Sequence, residues 1–316
     1  MLTPGRTFAE HYRVVRRLGA GGMGQVYLVE NLPLQRLEAL KTLDPEKCDQ
    51  LAARFIREAQ AAAKLQHPSI VSIYHVRPDA TPPWFTMQYA GGDDLDRTPT
   101  RSDREALDVV ERLAGALDYA HRRGVVHRDV KPANVIVARD EAGAIESCCL
   151  LDFGIAKLAE VTPLTAAGGV VGTLQFLAPE AWNGEAGPAA DQYALACTAY
   201  ALLGGRSPFS GQVRDLMVAH MMLPPPKLSD VRPEAASASR VLERALAKSP
   251  HDRYASCGEF AAALAAARRE PSTPASPPDE DERLPGTVVR FPTPPPAARR
   301  TAARSSGYLG PRLTRD

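Results

Sequence analysis

The hydrophobic period of this chain changes once along its length, and that change limits the fold more than any other feature. Residues 12–90 carry short runs of period-two alternation. Tyr12-Arg13-Val14-Val15-Arg16-Arg17-Leu18 leads into glycines, Gln25-Val26-Tyr27-Leu28-Val29 resumes the pattern, and Ala39-Leu40-Lys41-Thr42-Leu43 follows. Ile70–Tyr74 and Trp84–Tyr89 read as two further strands. Only Asp49–Gln66 interrupts them: Leu51, Phe55, Ala59, Ala62 and Leu65 recur at three- and four-residue steps, the period of a half-buried helix. From Asp103 the pattern turns helical, with Leu107, Val110, Leu113, Leu117 and His121 on one face and Gly124 as a stop. Further helices are expected near 189–204, 212–222, 237–247 and 256–269. Strands that come first and helices that come after predict an α+β fold: a small antiparallel sheet with one helix, then a larger, mainly α part.

With 316 residues, 44% hydrophobic and 24% charged, the chain can bury a sizeable core. A formal net charge of +1 gives no electrostatic reason to expect nucleic acid or a membrane surface as partner. The apolar stretch Tyr193–Gly205 is shorter than the roughly 20 residues of a membrane span and reads as a buried helix. The N-terminus has no signal-peptide core, so a cytoplasmic location is expected. Cys48, Cys148, Cys149, Cys197 and Cys257 are odd in number, lack metal-ligand spacing and read as reduced thiols, with Cys148 and Cys149 in a buried strand. The composition shifts at Glu270. Residues 271–316 hold ten of the 28 prolines, clustered arginines and an acidic run, Asp279–Glu282, which predicts a disordered tail.

Three polar signatures follow one another: His127-Arg128-Asp129-Val130-Lys131-Pro132-Ala133-Asn134, then Asp152-Phe153-Gly154, then Ala178-Pro179-Glu180. Any one alone is a common accident. In register they supply a carboxylate that can accept a hydroxyl proton, two oxygen donors for a hard cation, and an anchored loop, the parts that phosphoryl transfer uses. Upstream, Gly19-Ala20-Gly21-Gly22-Met23-Gly24-Gln25-Val26 fits G-x-G-x-x-G-x-V. A dinucleotide-binding turn would need a helix straight after the glycines. A strand pattern follows instead, so the loop reads as a hairpin over phosphates. Lys41 on the third strand and Glu58 on the helix make sense together as an ion pair. Asp129 is placed to orient an acceptor hydroxyl and take its proton, and Lys131 to neutralise the transferring group. Asn134 and Asp152 offer the oxygen ligands that Mg²⁺ prefers.

With these residues the chain resembles the eukaryotic-like (Hanks-type) serine/threonine protein kinases, particularly the soluble catalytic domains of the bacterial branch, over about residues 12–268. The resemblance implies a two-lobed fold with an N-terminal extension (1–11), an N-lobe (12–90), a C-lobe (91–269) and a Pro/Arg-rich tail (270–316). It implies ATP contacts from Leu18, Gly19, Ala20, Gly21, Gly22, Met23, Gly24, Gln25, Val26, Ala39 and Lys41. Adenine hydrogen bonds would come from the hinge backbone between Gln88 and Ala90, behind Met87, with Asp93 or Asp94 on the ribose or the peptide. Asp129, Lys131, Lys41 and Glu58 would form the catalytic set, and Asn134 and Asp152 the Mg²⁺ ligands, with Mn²⁺ able to substitute. Lys131 and Thr173 match the serine/threonine subgroup. Asp191 corresponds to the residue that braces the catalytic loop, and Arg253 to the partner of Glu180. Arg128 would meet a phosphorylated activation-loop residue, and Thr162 and Thr165 are the candidate autophosphorylation sites.

Some positions depart from the family pattern. Glu38-Ala39-Leu40-Lys41 replaces Val-Ala-Ile-Lys, the segment between Asn134 and Asp152 is long enough for an extended hairpin around Asp140–Ser147, and the stretch after Leu95 is short and contains Pro99. That last departure predicts a truncated helix there. The function expected is transfer of the γ-phosphoryl of ATP to protein Ser/Thr hydroxyls. The alternatives are a pseudokinase scaffold, which the full set of chemical residues counts against, and a small-molecule kinase, which Ala178-Pro179-Glu180 and Thr173 count against. The tail reads either as a solvated end or as a docking segment for phosphothreonine-binding proteins through Ser272, Thr273, Ser276, Thr287, Thr293 and Thr301.

Overall fold

In the computed structural model, which describes residues 2–21, 23–153 and 171–269, a six-stranded antiparallel sheet precedes a helical body. The strands are β1 (Thr7–Phe8), β2 (Tyr12–Ala20), β3 (Gly24–Asn31), β4 (Arg36–Leu43), β5 (Ile73–Arg77) and β6 (Trp84–Gln88), in the order β1-β2-β3-β4-β6-β5. Helix α1 (Cys48–Ala62) lies between β4 and β5 in the chain.

Register decides which side chains share a face. Val26 pairs with Lys41, Ala39 with Met87, and Lys41 with Phe85. The inner face therefore presents Ala39, Leu43, Phe85 and Met87 to Phe55 and Ala59 of α1, and these residues form one buried cluster. Residues one step away point outward: Tyr12, Val14, Tyr27, Val29, Leu40 and Trp84 make a second cluster on the opposite face. Leu2 and Phe8 pack against this outer cluster, and the Phe8 and Trp84 rings meet edge to face at 5.3 Å. Because Thr7 and Phe8 pair with Arg13 and Tyr12, the sheet begins before residue 12.

Two expected boundaries move. Helix α1 ends at Ala62 rather than Gln66, because Leu65 turns inward and packs at 1% exposure with Ile70 and Phe153. Strand β5 starts at Ile73 rather than Ile70; Ile70 makes an isolated bridge to Leu150 instead.

The C-terminal body contains α2 (Asp103–His121), α3 (Val171–Leu174), α4 (Pro188–Gly204), α5 (Val213–Met222), α6 (Ala236–Ala245) and α7 (Cys257–Arg269). Ser102 caps α2 by accepting the amide of Glu105 at 3.3 Å. Helix α4 is apolar nearly all round and buried, as its sequence predicts, and Gly205 at φ 72° ends it. A second sheet joins β7 (Asp93–Asp94), β8 (Val135–Arg139) and β9 (Ile145–Leu150). The β8–β9 hairpin turns at Asp140–Ala144, where the long insertion was expected. Between Leu95 and Ser102 there is no helix.

Of the cysteines, Cys148, Cys149, Cys197 and Cys257 are buried and only Cys48 is partly exposed. Among the described residues, no helix is long and apolar enough to cross a membrane.

Candidate active site

The glycine-rich loop is the β2–β3 hairpin. Gly21 and Gly24 exchange backbone hydrogen bonds, and the Met23 carbonyl accepts the amide of Asp44 at 2.9 Å. A Cβ at Gly24 would collide with the carbonyl of Thr42, so only glycine lets the loop lie this close to β4. Gly22 lies outside the described residues. Behind the loop, Leu18, Val26 and Ala90 pack against Ala39 and Met87 and form an apolar wall together with Leu151. The Gln88 amide donates to the Ser72 carbonyl at 2.8 Å, which commits that part of the hinge to the sheet. Asp94 accepts the backbone amide of Arg97 at 3.0 Å, and Asp93 pairs with Val137 in β7–β8.

Lys41 is 9% exposed and holds two carboxylates: Glu58 Oε1 at 3.1 Å and Asp152 Oδ1 at 2.7 Å. Burial alone would lower the pKa of this ammonium, but the charges of Asp152 and Glu58 overcome it and raise the pKa above its ordinary value. Glu58 is itself buried, so the pairing fixes how α1 sits against β4.

The second group lies on the loop after α2. Asn134 Nδ2 donates to Asp129 Oδ2 at 2.6 Å and to the Asp129 carbonyl at 2.8 Å, and Lys131 Nζ sits 3.2 Å from Asp129 Oδ1. With its amide nitrogen held on Asp129, Asn134 keeps its carbonyl oxygen as an acceptor. The loop turns through Arg128 at φ 68°, a conformation costly for a side chain with a Cβ. Asp191 of α4 holds it there. Its Oδ2 accepts the His127 amide and its Oδ1 the Arg128 amide, both at 2.7 Å.

One residue joins the two groups. Leu151 donates its amide to the Asn134 carbonyl at 2.9 Å and accepts His127 Nε2 on its own carbonyl at 2.8 Å. Sequence reading gave Leu151 no part in the site; its position directly before Asp152 is the signal that could have marked it. Phe153 is buried, its ring 4.7 Å from that of His127.

The third signature is tied down separately. Arg253, with no exposed side-chain surface, makes a bidentate pair with Glu180 at 2.7 and 2.8 Å. It also donates to the carbonyls of Ala189, Ala247 and Lys248. The first two signatures therefore occupy one connected site with Lys41 and Glu58, while the third is anchored on its own.

The family model for the protein kinase domain matches residues 12–264. The chain belongs to that family. The serine/threonine-protein kinase PknJ of Mycobacterium tuberculosis is 44% identical over 276 residues, which cover 84% of this chain and 46% of PknJ. PknF of the same organism is 41% identical over 274 residues, 83% of this chain and 57% of PknF. The chain thus spans about half the length of the curated relatives it matches. Among solved structures, the M. tuberculosis PknI kinase domain superposes with a TM-score of 0.66 at 40% identity, over 84% of this chain and 100% of that one. The fold is the two-lobed α+β kinase fold. Members of this family use ATP and a divalent metal ion.

Thr162 and Thr165 lie outside the described residues, as does the tail from residue 270. The backbone of Thr173 falls in α3.

Proposed function

We propose that the chain is a protein kinase that transfers the γ-phosphoryl of ATP to serine and threonine hydroxyls of protein substrates. The observation that carries the reading is the Leu151 bridge, which sets the Asp129–Lys131–Asn134 group beside the Lys41–Glu58–Asp152 group in one site. ATP would lie under the glycine loop, its base against Leu18, Val26, Ala39, Met87 and Leu151 and hydrogen-bonded by the hinge at Ala90. Lys41, held by Glu58, would bind the α- and β-phosphates.

The donor set fits a hard cation. Asn134 keeps a side-chain carbonyl oxygen, and Asp152, its side chain 40% exposed, directly follows Leu151, whose amide bonds the Asn134 backbone carbonyl. Those two residues would hold Mg²⁺, or Mn²⁺ in its place, and the ion would neutralise phosphate charge. Asp129 would orient the acceptor hydroxyl and take its proton late in the transfer, when the oxygen has become acidic enough for an ordinary carboxylate. Lys131 would stabilise the charge on the transferring group, and the Arg253–Glu180 anchor would fix the platform for the acceptor peptide.

Regulation would run through Arg128, which directly precedes the base and would order the segment containing Thr162 and Thr165 once either is phosphorylated. The reaction would run in the cytoplasm, with phosphothreonine-binding proteins as partners.

Incubation of the wild type and Asp129→Asn with labelled ATP and a protein acceptor, followed by phosphosite mapping, tests this. The expected result is phosphoserine and phosphothreonine formed by the wild type alone, with nucleotide bound by both. Equal incorporation by the two proteins, or none by either, sinks the reading.

A further inference from the structure

Two consecutive buried residues of α4 reach in different directions. Adjacent helical positions diverge by about 100°, so they serve different neighbours. Asp191 holds the loop that carries Asp129, through the amides of His127 and Arg128. Gln192, 2% exposed, holds the segment that follows Arg253. Its Nε2 donates to the carbonyls of Tyr254 and Ser256, both at 2.9 Å, and its Oε1 accepts the Tyr254 amide at 3.1 Å. Both N–H groups and the oxygen of the side chain are thereby used on backbone atoms.

The segment is gripped at its far end too. The amides of Cys257 and Gly258 donate to the two carboxylate oxygens of Asp118, each at 2.9 Å. One turn further along α2, His121 Nε2 donates to Asp191 Oδ2 at 2.7 Å. The circuit closes: Asp118 and His121 on α2, Asp191 and Gln192 on α4, and between them the two loops that carry Asp129 and Arg253. None of the Gln192 contacts reaches the Lys41 or Asp129 groups, so transfer chemistry itself does not demand this residue. Its removal would leave two carbonyls and one amide of half-buried residues without that partner, and such groups relax by moving the backbone that bears them. That backbone is the one that sets Arg253 on Glu180.

We propose that Gln192 is a positioning residue for the acceptor side of the reaction. By pinning residues 254–256 it keeps Arg253 in bidentate register on Glu180, and so keeps the Ala178–Glu180 platform aligned with Asp129. The proposal rests on the kinase reading above.

The test uses the full chain with Gln192→Met, which keeps the volume and removes all three bonds, and Gln192→Glu, which keeps one acceptor and sets a carboxylate against two carbonyls. Gln192→Asn serves as a milder third variant if either of these does not fold. Amide hydrogen exchange at residues 178–184 and 127–130 is compared with the binding of a fluorescent ATP analogue and with kinetics on a protein acceptor. In Gln192→Met, exchange at 178–184 rises tenfold or more while 127–130 stays within threefold. Acceptor kcat/KM falls at least tenfold, nucleotide affinity stays within twofold, and Gln192→Glu is at least as damaged. Unchanged exchange at 178–184, equal acceleration in both segments, or a milder defect in Gln192→Glu overturns the proposal. A wild type inert toward acceptors whose variants still show the exchange pattern would refute the kinase reading and leave the coupling standing.

Discussion

Removal of the Arg253 guanidinium should be among the most damaging single changes outside the Lys41 and Asp129 groups. Arg253→Met keeps the unbranched apolar stem but leaves Glu180 without its bidentate partner and three carbonyls without this donor. Breaking a buried pair from one side costs about 3–5 kcal/mol, because the remaining charge is left uncompensated. Glu180 keeps 12% of its side-chain surface exposed, so water can reach it in part, which argues for the lower half of that range. At roughly 2–4 °C per kcal/mol for a domain of this size, a loss near 3.5 kcal/mol lowers Tm by about 7–14 °C. Calorimetry with and without nucleotide checks the value. The mechanism makes a second demand. If the uncompensated carboxylate dominates, adding Glu180→Gln to Arg253→Met should return part of the loss. A Tm drop under about 3 °C in the single variant, or a double variant that falls by the sum of the two single losses, would refute the reasoning.

Asp191→Asn should weaken acceptance of the Arg128 amide, which stands at φ 68°, and cut kcat by tenfold or more with little change in nucleotide affinity; steady-state kinetics and a binding titration separate the two. Gly24→Ala forces the hairpin off the Thr42 carbonyl and should weaken ATP binding about tenfold, equivalent to roughly 1.4 kcal/mol, as read by a fluorescent analogue. His220 is buried against Tyr193 and Phe209, and burial, reinforced by the charge of Lys248, pushes its imidazole down to about 4. A depressed histidine stays neutral in the folded state, so its contribution is complete above about pH 6.5 and is lost as the pH falls toward 4. At about 1.4 kcal/mol per pH unit this is on the order of 3 kcal/mol. His220→Phe should flatten that part of the stability profile in denaturant titrations at pH 7.5 and pH 5, and an unchanged slope would show that other groups carry it.

What the sequence revealed and what it hid divide along physical lines. Asp129, Asn134 and Asp152 were legible as candidates because each sits in a short local pattern, whereas Lys41 and Glu58, seventeen residues apart, made sense only together and beside those motifs. Helices α2 and α4 were legible because apolar periodicity is a local property and a left-handed glycine follows within three residues or fewer, Gly124 after α2 and Gly205 after α4. The start of β5 and the end of α1 were not, because Ile70 and Leu65 take their positions from Phe153 and Leu150, eighty or more residues away in the chain. Thr7–Phe8 gave no strand signal of its own; pairing with β2 and the Trp84 ring make it one. Leu151 and Gln192 were passed over for a related reason. Leucine acts here through its backbone and glutamine through contacts sixty residues distant, and neither leaves a pattern in neighbouring residues.

The uneven exposure of the thiols has a practical use. Burial raises the thiol pKa of Cys148 to about 12 and raises that of Cys149, Cys197 and Cys257 as well, and a protonated, enclosed sulfur reacts slowly with maleimides. Cys48 is the exception in reach: partial burial and the charges of Asp49 and Asp44 raise its thiol pKa too, but it is partly exposed, and it is the first residue of the helix that carries Glu58. A dye attached to the unmutated chain should therefore sit at the start of that helix, with the four enclosed thiols left largely unlabelled.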